Sequence, residues 1–220
     1  MKRLLFMVAI FFSLVMICAI AEAQSISRVL LIPREGRSAD IEYVLNKEVG
    51  VMTDLLQKAG FKVMVANVSG QPLEGFIRKL RPDWKLSEVN VDDYAGFILP
   101  CMALGQFPPP PISPEAVSIV KQALAKGKPV AAQTGSVLIL AEAGLLKGKR
   151  YAYLQDRFNP YPPHKKDWSF EGAIYSGPGI VQDGMIITSG ICPIIESSTG
   201  LREGTPELTR AFIAKLGRKK

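Results

Sequence analysis

Three side chains in this sequence have nucleophilic chemistry and stand where a turn could present them. Lys128 to Arg150 reads KPVAAQTGSVLILAEAGLLKGKR. A short apolar strand runs into Gln133-Thr134-Gly135-Ser136 and then straight into an apolar helix. A strand that turns this sharply into a helix exposes the side chain at its apex, and here that residue is Thr134. A threonine hydroxyl attacks only with a general base beside it, and none is evident. The plainer reading of Thr134 is a helix cap, a role its hydroxyl fills well. The other two are thiols: Cys101, directly after the apolar run Tyr94 to Leu99, and Cys192, just past the hairpin-like run Ile180 to Ser189.

The elements that must position these groups follow from the apolar pattern. Arg28 to Pro33 (RVLLIP), Phe61 to Ala66, Tyr94 to Leu99 and Val130 to Ala132 are short apolar runs, expected as buried strands. Between them, Ser38 to Gly60 is expected as a helix, with a start at Asp40, a stop at Gly60 and apolar residues at Ile41, Val44, Leu45, Val49, Met52, Leu55 and Leu56. Ser113 caps a helix with Pro114 at its first position, running to Lys126. Ser136 to Ala143 is the helix after the elbow. Ile180 to Ser189 reads as a hairpin turning at Asp183-Gly184, and Thr205 caps a last helix to Leu216. Gln71 to Val91 is amphipathic and irregular, broken by Pro82. The loop holding Pro108 to Pro111 is a surface connection, because strand–helix alternation resumes at once. Alternating strands and helices with apolar strands imply a mostly parallel sheet covered on both faces, an α/β three-layer sandwich. In such sheets chemistry collects at the carboxyl ends of the strands. Pro33, Cys101, Thr134 and Ser189 to Cys192 fall on that rim.

The chain has 220 residues, 48% hydrophobic and 21% charged, an ordinary globular balance with no internal repeat. Its start differs. Lys2 and Arg3 precede an unbroken apolar run from Leu4 to Ile20, and Ala21-Glu22-Ala23 follows. That is the pattern of a secretory signal over 1–23, cleaved after Ala23 to leave a mature domain over 24–220 in the periplasm or outside the cell. An uncleaved signal would be the one membrane attachment. The formal charge of +7 is spread without aromatic interleaving, so no nucleic-acid partner is expected. One histidine, His164, and two cysteines beyond the leader, all widely separated, make no metal motif. No glycine loop cradles a phosphate, and no cofactor is expected.

Five stretches together resemble the ThiJ/PfpI family of the class I glutamine amidotransferase-like fold: VLLIP, the helix ending LLQKAGFKV, YAGFILP, GKPVAAQTG with AEAGLLKG, and VQDGMIITSG. The resemblance covers most of Arg28 to Leu216 and implies a flavodoxin-like strand order. It also implies a site with a cysteine at the elbow and a buried glutamate on the first helix. Helix-start N–H groups favour a thiolate at such an elbow, and a glutamate kept neutral by burial can donate to the sulfur. Read back from AGLLKG, the nucleophile position falls on Thr134. Read back from Ala59-Gly60, the glutamate position falls on Glu48, with Glu42 a lesser candidate one and a half turns earlier.

The glutamate is therefore retained and the elbow cysteine is not. Gly135 stands where the peptidase-like branch has histidine, Ser136 where a glycine is expected, and Cys101-Met102 where paired glycines follow the third strand. The family's loop histidine would fall nearer Pro160 than His164. The family's strand order puts the elbow strand between those of Cys101 and Cys192. Two strand spacings make about 10 Å, and a disulfide needs Cα atoms within about 7 Å. A bond thus requires the loops to lean over the elbow. Three readings of the cysteines stand: a disulfide, two small buried hydrophobes, or a displaced Cys101 nucleophile. The pocket expected from the resemblance is lined by Glu48, Cys101, Thr134, Gly135, Ser136, Cys192 and His164. The function that follows first is a non-catalytic module binding a small molecule or a protein partner, with a homodimer consistent with the family. The alternative is a hydrolase, peptidase-like or glyoxalase-like enzyme using Cys101 or Thr134 with Glu48.

Overall fold

The computed structural model describes residues 27–33, 41–101, 112–154 and 168–217. The leader, the Pro108 to Pro111 loop and His164 lie outside the described residues. Strand β1 (Arg28–Leu31) leads to helix α1 over residues 41–58, and β2 (Lys62–Asn67) follows. Three two-residue strands come next: β3 (Leu73–Glu74), β4 (Lys79–Leu80) and β5 (Trp84–Lys85). The chain continues through β6 (Gly96–Leu99), α2 (Pro114–Ala125), β7 (Val130–Gln133) and α3 (Val137–Glu142). Strands β8 (Arg150–Tyr151) and β9 (Ile174–Tyr175) form a small parallel pair. The last elements are β10 (Ile180–Asp183), β11 (Ile186–Ser189), α4 (Pro193–Thr199) and α5 (Thr205–Leu216).

The main sheet has seven strands in the order β10-β11-β7-β6-β1-β2-β5. Every pair is parallel except β10 with β11. This is the expected flavodoxin-like order, with β5 and β10 added at the two edges. Strand side chains alternate between faces, and both faces are apolar. Val29, Leu31, Ile98, Ala131 and Ile187 pack against Leu45, Met52 and Leu56 of α1 and Leu208 and Phe212 of α5. Leu30, Phe97, Leu99, Val130 and Ala132 pack against Ile119 and Val120 of α2 and Leu140 of α3. Burial on both faces explains why the strands are continuous apolar runs rather than alternating ones.

Some expectations shift. The Gln71 to Val91 segment holds the β3–β4 hairpin, edge strand β5 and two 3₁₀ turns. Glu42 has a structural task there: its Oε2 accepts the N–H groups of Ile77 and Arg78 at 2.9 and 2.8 Å, fastening the hairpin turn to α1. Thr205 does not cap α5. Gly204 is the cap, and the Thr205 hydroxyl instead accepts from Gln133 Nε2 at 2.9 Å.

Helix α1 changes pitch midway. It is α-helical over Ile41–Val44 and Gly50–Lys58 and π-helical over Leu45–Val49. Such π turns occur as single bulges inside α-helices, often at functional sites. This one carries Glu48. The loop after β11 is equally constrained. A Cβ at Gly190 would overlap the carbonyl carbon and oxygen of Tyr153 and come within 2.9 Å of Leu154 N. These are backbone atoms and cannot swing aside. Gly190→Ala is therefore expected to lower unfolding free energy by about 1–3 kcal/mol, read from the urea midpoint. An unchanged midpoint would contradict this packing.

Candidate functional site

Four loops or turns meet at the carboxyl edge of the sheet: the π turn of α1, the segment after β6, the elbow after β7 and the segment after β11. Side chains tie them together. Ser136 Oγ donates to Pro100 O at 2.7 Å. Gln133 Nε2 donates to Ile191 O at 2.9 Å as well as to Thr205. Gly135 N–H donates to Cys101 Sγ at 3.2 Å. These bonds draw the loops after β6 and β11 onto the elbow, yet no disulfide joins them.

Thr134 is at the apex as expected, with φ +46°, the only non-glycine residue with positive φ among the described residues. A β-branched residue there is strained, by about 1–3 kcal/mol. The turn has the strained geometry of an elbow, with Thr134 at its apex. The capping reading fails, because the turn's cap is Gln133 and no side chain caps it. Thr134 Oγ1 is buried with no hydrogen-bond partner of good geometry, sulfur included. It lies near enough to Cys192 to help lower that thiol's pKa.

Cys101 and Cys192 are both buried free thiols, not a disulfide. Their side chains are close enough to interact, and the interaction holds Cys101 up and Cys192 down. The Cys101 S–H lowers the Cys192 pKa most, and burial opposes it. The Ile195 N–H, the Thr134 hydroxyl and the Ile194 N–H add to the lowering, bringing the thiol to about 7. The interaction with Cys192 pushes Cys101 well above its ordinary range, and burial and the neighbouring charge push it further. The assignment has a plain geometric reason. Cys192 faces donors on several sides, whereas Cys101 accepts one N–H and lies beside a carboxyl group. The negative charge therefore belongs on Cys192.

Glu48 is fully buried, and its Oε1 accepts the Cys101 N–H at 2.6 Å. Burial raises its pKa well above the ordinary 4.5, and the charge on Cys192 raises it further. The carboxyl is held neutral, with Oε2 left without a partner. A neutral Glu48 is an acid, not a base, so Thr134 has no base in this cluster. Glu48, Cys101, Thr134, Gly135, Ser136 and Cys192 come together as the resemblance implied. Cys192 has a larger part than its place as a lining residue suggested. Its signal was Pro193, which marks a helix start immediately after it.

With this geometry in view, the DJ-1/PfpI family model matches residues 39–194. The chain belongs to the DJ-1/PfpI family. An uncharacterized protein from Archaeoglobus fulgidus is 35% identical over 139 residues, covering 61% of this chain and 75% of the relative. A protein from Pyrococcus abyssi named as a deglycase is 29% identical over 138 residues, covering 62% of this chain and 77% of its own. Among solved structures, the ThiJ/PfpI domain protein from Brachyspira murdochii superposes with a TM-score of 0.65 at 16% identity, covering 89% of this chain and 99% of that one. Drosophila melanogaster DJ-1beta gives a TM-score of 0.60 at 22% identity, covering 88% and 92%. These structures share the fold.

The neutral carboxyl predicts a pH effect. Below its ordinary pKa of 4.5, Glu48 is protonated whether the chain is folded or not. As pH rises, the unfolded chain ionises and the folded one does not. Stability therefore falls with pH, by up to about 1.4 kcal/mol per unit, until the raised folded pKa is reached. Glu48→Gln is neutral throughout and should lack this fall, so its stability relative to wild type should improve from pH 4.5 to 7 in urea titrations. A constant difference would mean that Glu48 ionises in the folded protein.

Proposed function

We propose that this chain is an exported DJ-1/PfpI-family enzyme of the glyoxalase- or deglycase-like kind. It acts on a small carbonyl compound, and Cys192 takes the role of the missing elbow cysteine. The observation that carries the reading is the place of Cys192: it is the residue before the first turn of α4, buried beside Cys101 and Thr134, where the Cys101 thiol and the Ile194 and Ile195 N–H groups favour its thiolate. Thr134 at the elbow thus supports a nucleophile on the neighbouring loop instead of being one. The name of the Pyrococcus abyssi relative points toward the same class of chemistry.

In this reading the Cys192 thiolate adds to a carbonyl carbon and a hemithioacetal forms. The electron pair of the C=O bond moves to oxygen, and that oxygen takes the Glu48 proton from Oε2, the group left without a partner. The thiolate pKa near 7 keeps a large fraction of the nucleophile ionised at neutral pH. The cluster is closed to solvent, with Cys101 at 1% and Cys192 at 0% exposure. That favours small substrates and counts against a peptidase-like role.

Consumption of methylglyoxal by the purified protein tests this. Cys192→Ser is expected to lower kcat/KM by roughly 100-fold or more, and Thr134→Ala to lower it far less. The opposite ranking would make Thr134 the nucleophile. No turnover by the wild-type protein would leave the non-catalytic binding module as the better reading.

A further inference from the structure

We infer that Cys101 and Cys192 form a reversible dithiol–disulfide couple that reduces small hydroperoxides, with Cys192 the attacking sulfur and Cys101 the resolving one. The inference rests on the reading of Cys192 as the thiolate. It adds a second substrate class and a role for Cys101 that carbonyl chemistry does not use.

The geometry points this way for three reasons. The two thiols come from different loops, after β6 and after β11, that are fastened to the same elbow: Gly135 N–H holds the Cys101 sulfur, Ser136 holds Pro100 O, and Gln133 holds Ile191 O beside Cys192. Both are free, buried and close enough to influence each other, so a disulfide joins side chains that already face one another. Next, Cys101 is fastened on both sides. Its N–H is held by Glu48 Oε1 at 2.6 Å, and its sulfur by Gly135 N–H at 3.2 Å. A resolving thiol held against the attacking sulfur intercepts a sulfenic acid before it is oxidised further. Finally, both thiols are closed to solvent, so the reactant the site admits with least opening is one scarcely larger than water.

The step balances. The Cys192 thiolate attacks one oxygen of the hydroperoxide, the O–O bond breaks, and Cys192 sulfenic acid forms. The departing alkoxide or hydroxide takes the proton of Glu48 Oε2 and leaves as alcohol or water. The Cys101 thiol then attacks the sulfenyl sulfur. An S–S bond forms, and the Cys101 proton leaves with the hydroxyl as water. Peroxide is reduced by two electrons and the thiol pair is oxidised by two. A small external thiol, the reductant class required, returns both electrons, and two protons restore Cys101 and Glu48.

The test uses the full purified chain, reduced and freed of reductant, then treated with one equivalent of hydrogen peroxide. Alkylation and intact-mass spectrometry follow, with the Cys101–Cys192 region read by peptide mapping. The expected result is loss of two hydrogens, loss of alkylation at both residues, and full recovery with dithiothreitol. In Cys101→Ser and Cys101→Ala treated with several equivalents of peroxide, no thiol intercepts the sulfenic acid, and Cys192 should instead gain two or three oxygens as sulfinic or sulfonic acid, which dithiothreitol does not remove. Wild-type protein that gains oxygen on Cys192, or keeps both thiols alkylatable, overturns the inference. So does a pair of Cys101 variants that recover as fully as wild type. Methylglyoxal consumption by the reduced sample separates the two readings. Disulfide formation without turnover supports the couple and overturns the carbonyl reading. Turnover without disulfide overturns the couple alone.

Discussion

Cys101 and Cys192 interact across the elbow, and the electrostatics of the site depend on that pairing. It fixes which sulfur carries charge. Burial first, and then that charge, keep Glu48 protonated. A neutral Glu48 in turn cannot serve Thr134 as a base. One negative charge is thus placed on Cys192, with acids and dipoles around it, inside a space that water does not reach. Two charges in that volume would repel strongly at low dielectric, so the protonation states of the three groups are mutually determined.

Holding the sulfurs together requires three strand-end segments to converge, and most of the buried polar side chains nearby do that work. Ser136 binds the carbonyl of Pro100, and Gln133 bridges Ile191 and Thr205. Thr188 accepts the Ala152 N–H at 2.7 Å on the next strand. Each such bond contributes about 0.5–1.5 kcal/mol net, and more would be lost by leaving its partner unsatisfied in the interior. The strained Thr134 backbone is held within this frame. The elbow carries Thr134 in a left-handed conformation that is costly for a β-branched residue, and the surrounding hydrogen bonds hold it there.

Much of this was legible from residue order. Apolar runs separated by amphipathic helices specify a parallel sheet covered on both faces, and the strand-end rule brings Cys101, Thr134 and Cys192 to one rim. The family register points to Glu48 from Ala59-Gly60, and the structure buries that side chain against the Cys101 N–H. The identity of the polarised thiol was not legible. It depends on which sulfur meets more donors, and those donors come from residues far apart in the chain. Thr205 misled for a related reason: it looks like a cap, but Gln133 recruits it across the fold. The hairpin β3–β4 was missed because two-residue strands have no periodicity to read.

The most direct test is to titrate the thiolate absorbance in the ultraviolet against pH for the reduced wild-type protein, Cys101→Ala and Cys192→Ser. One thiolate forming with a midpoint near 7 is the predicted wild-type result. It should be absent from Cys192→Ser, and in Cys101→Ala, which removes the neighbouring thiol, it should move to higher pH. A transition near neutral pH that survives Cys192→Ser would put the charge on Cys101 and contradict the account.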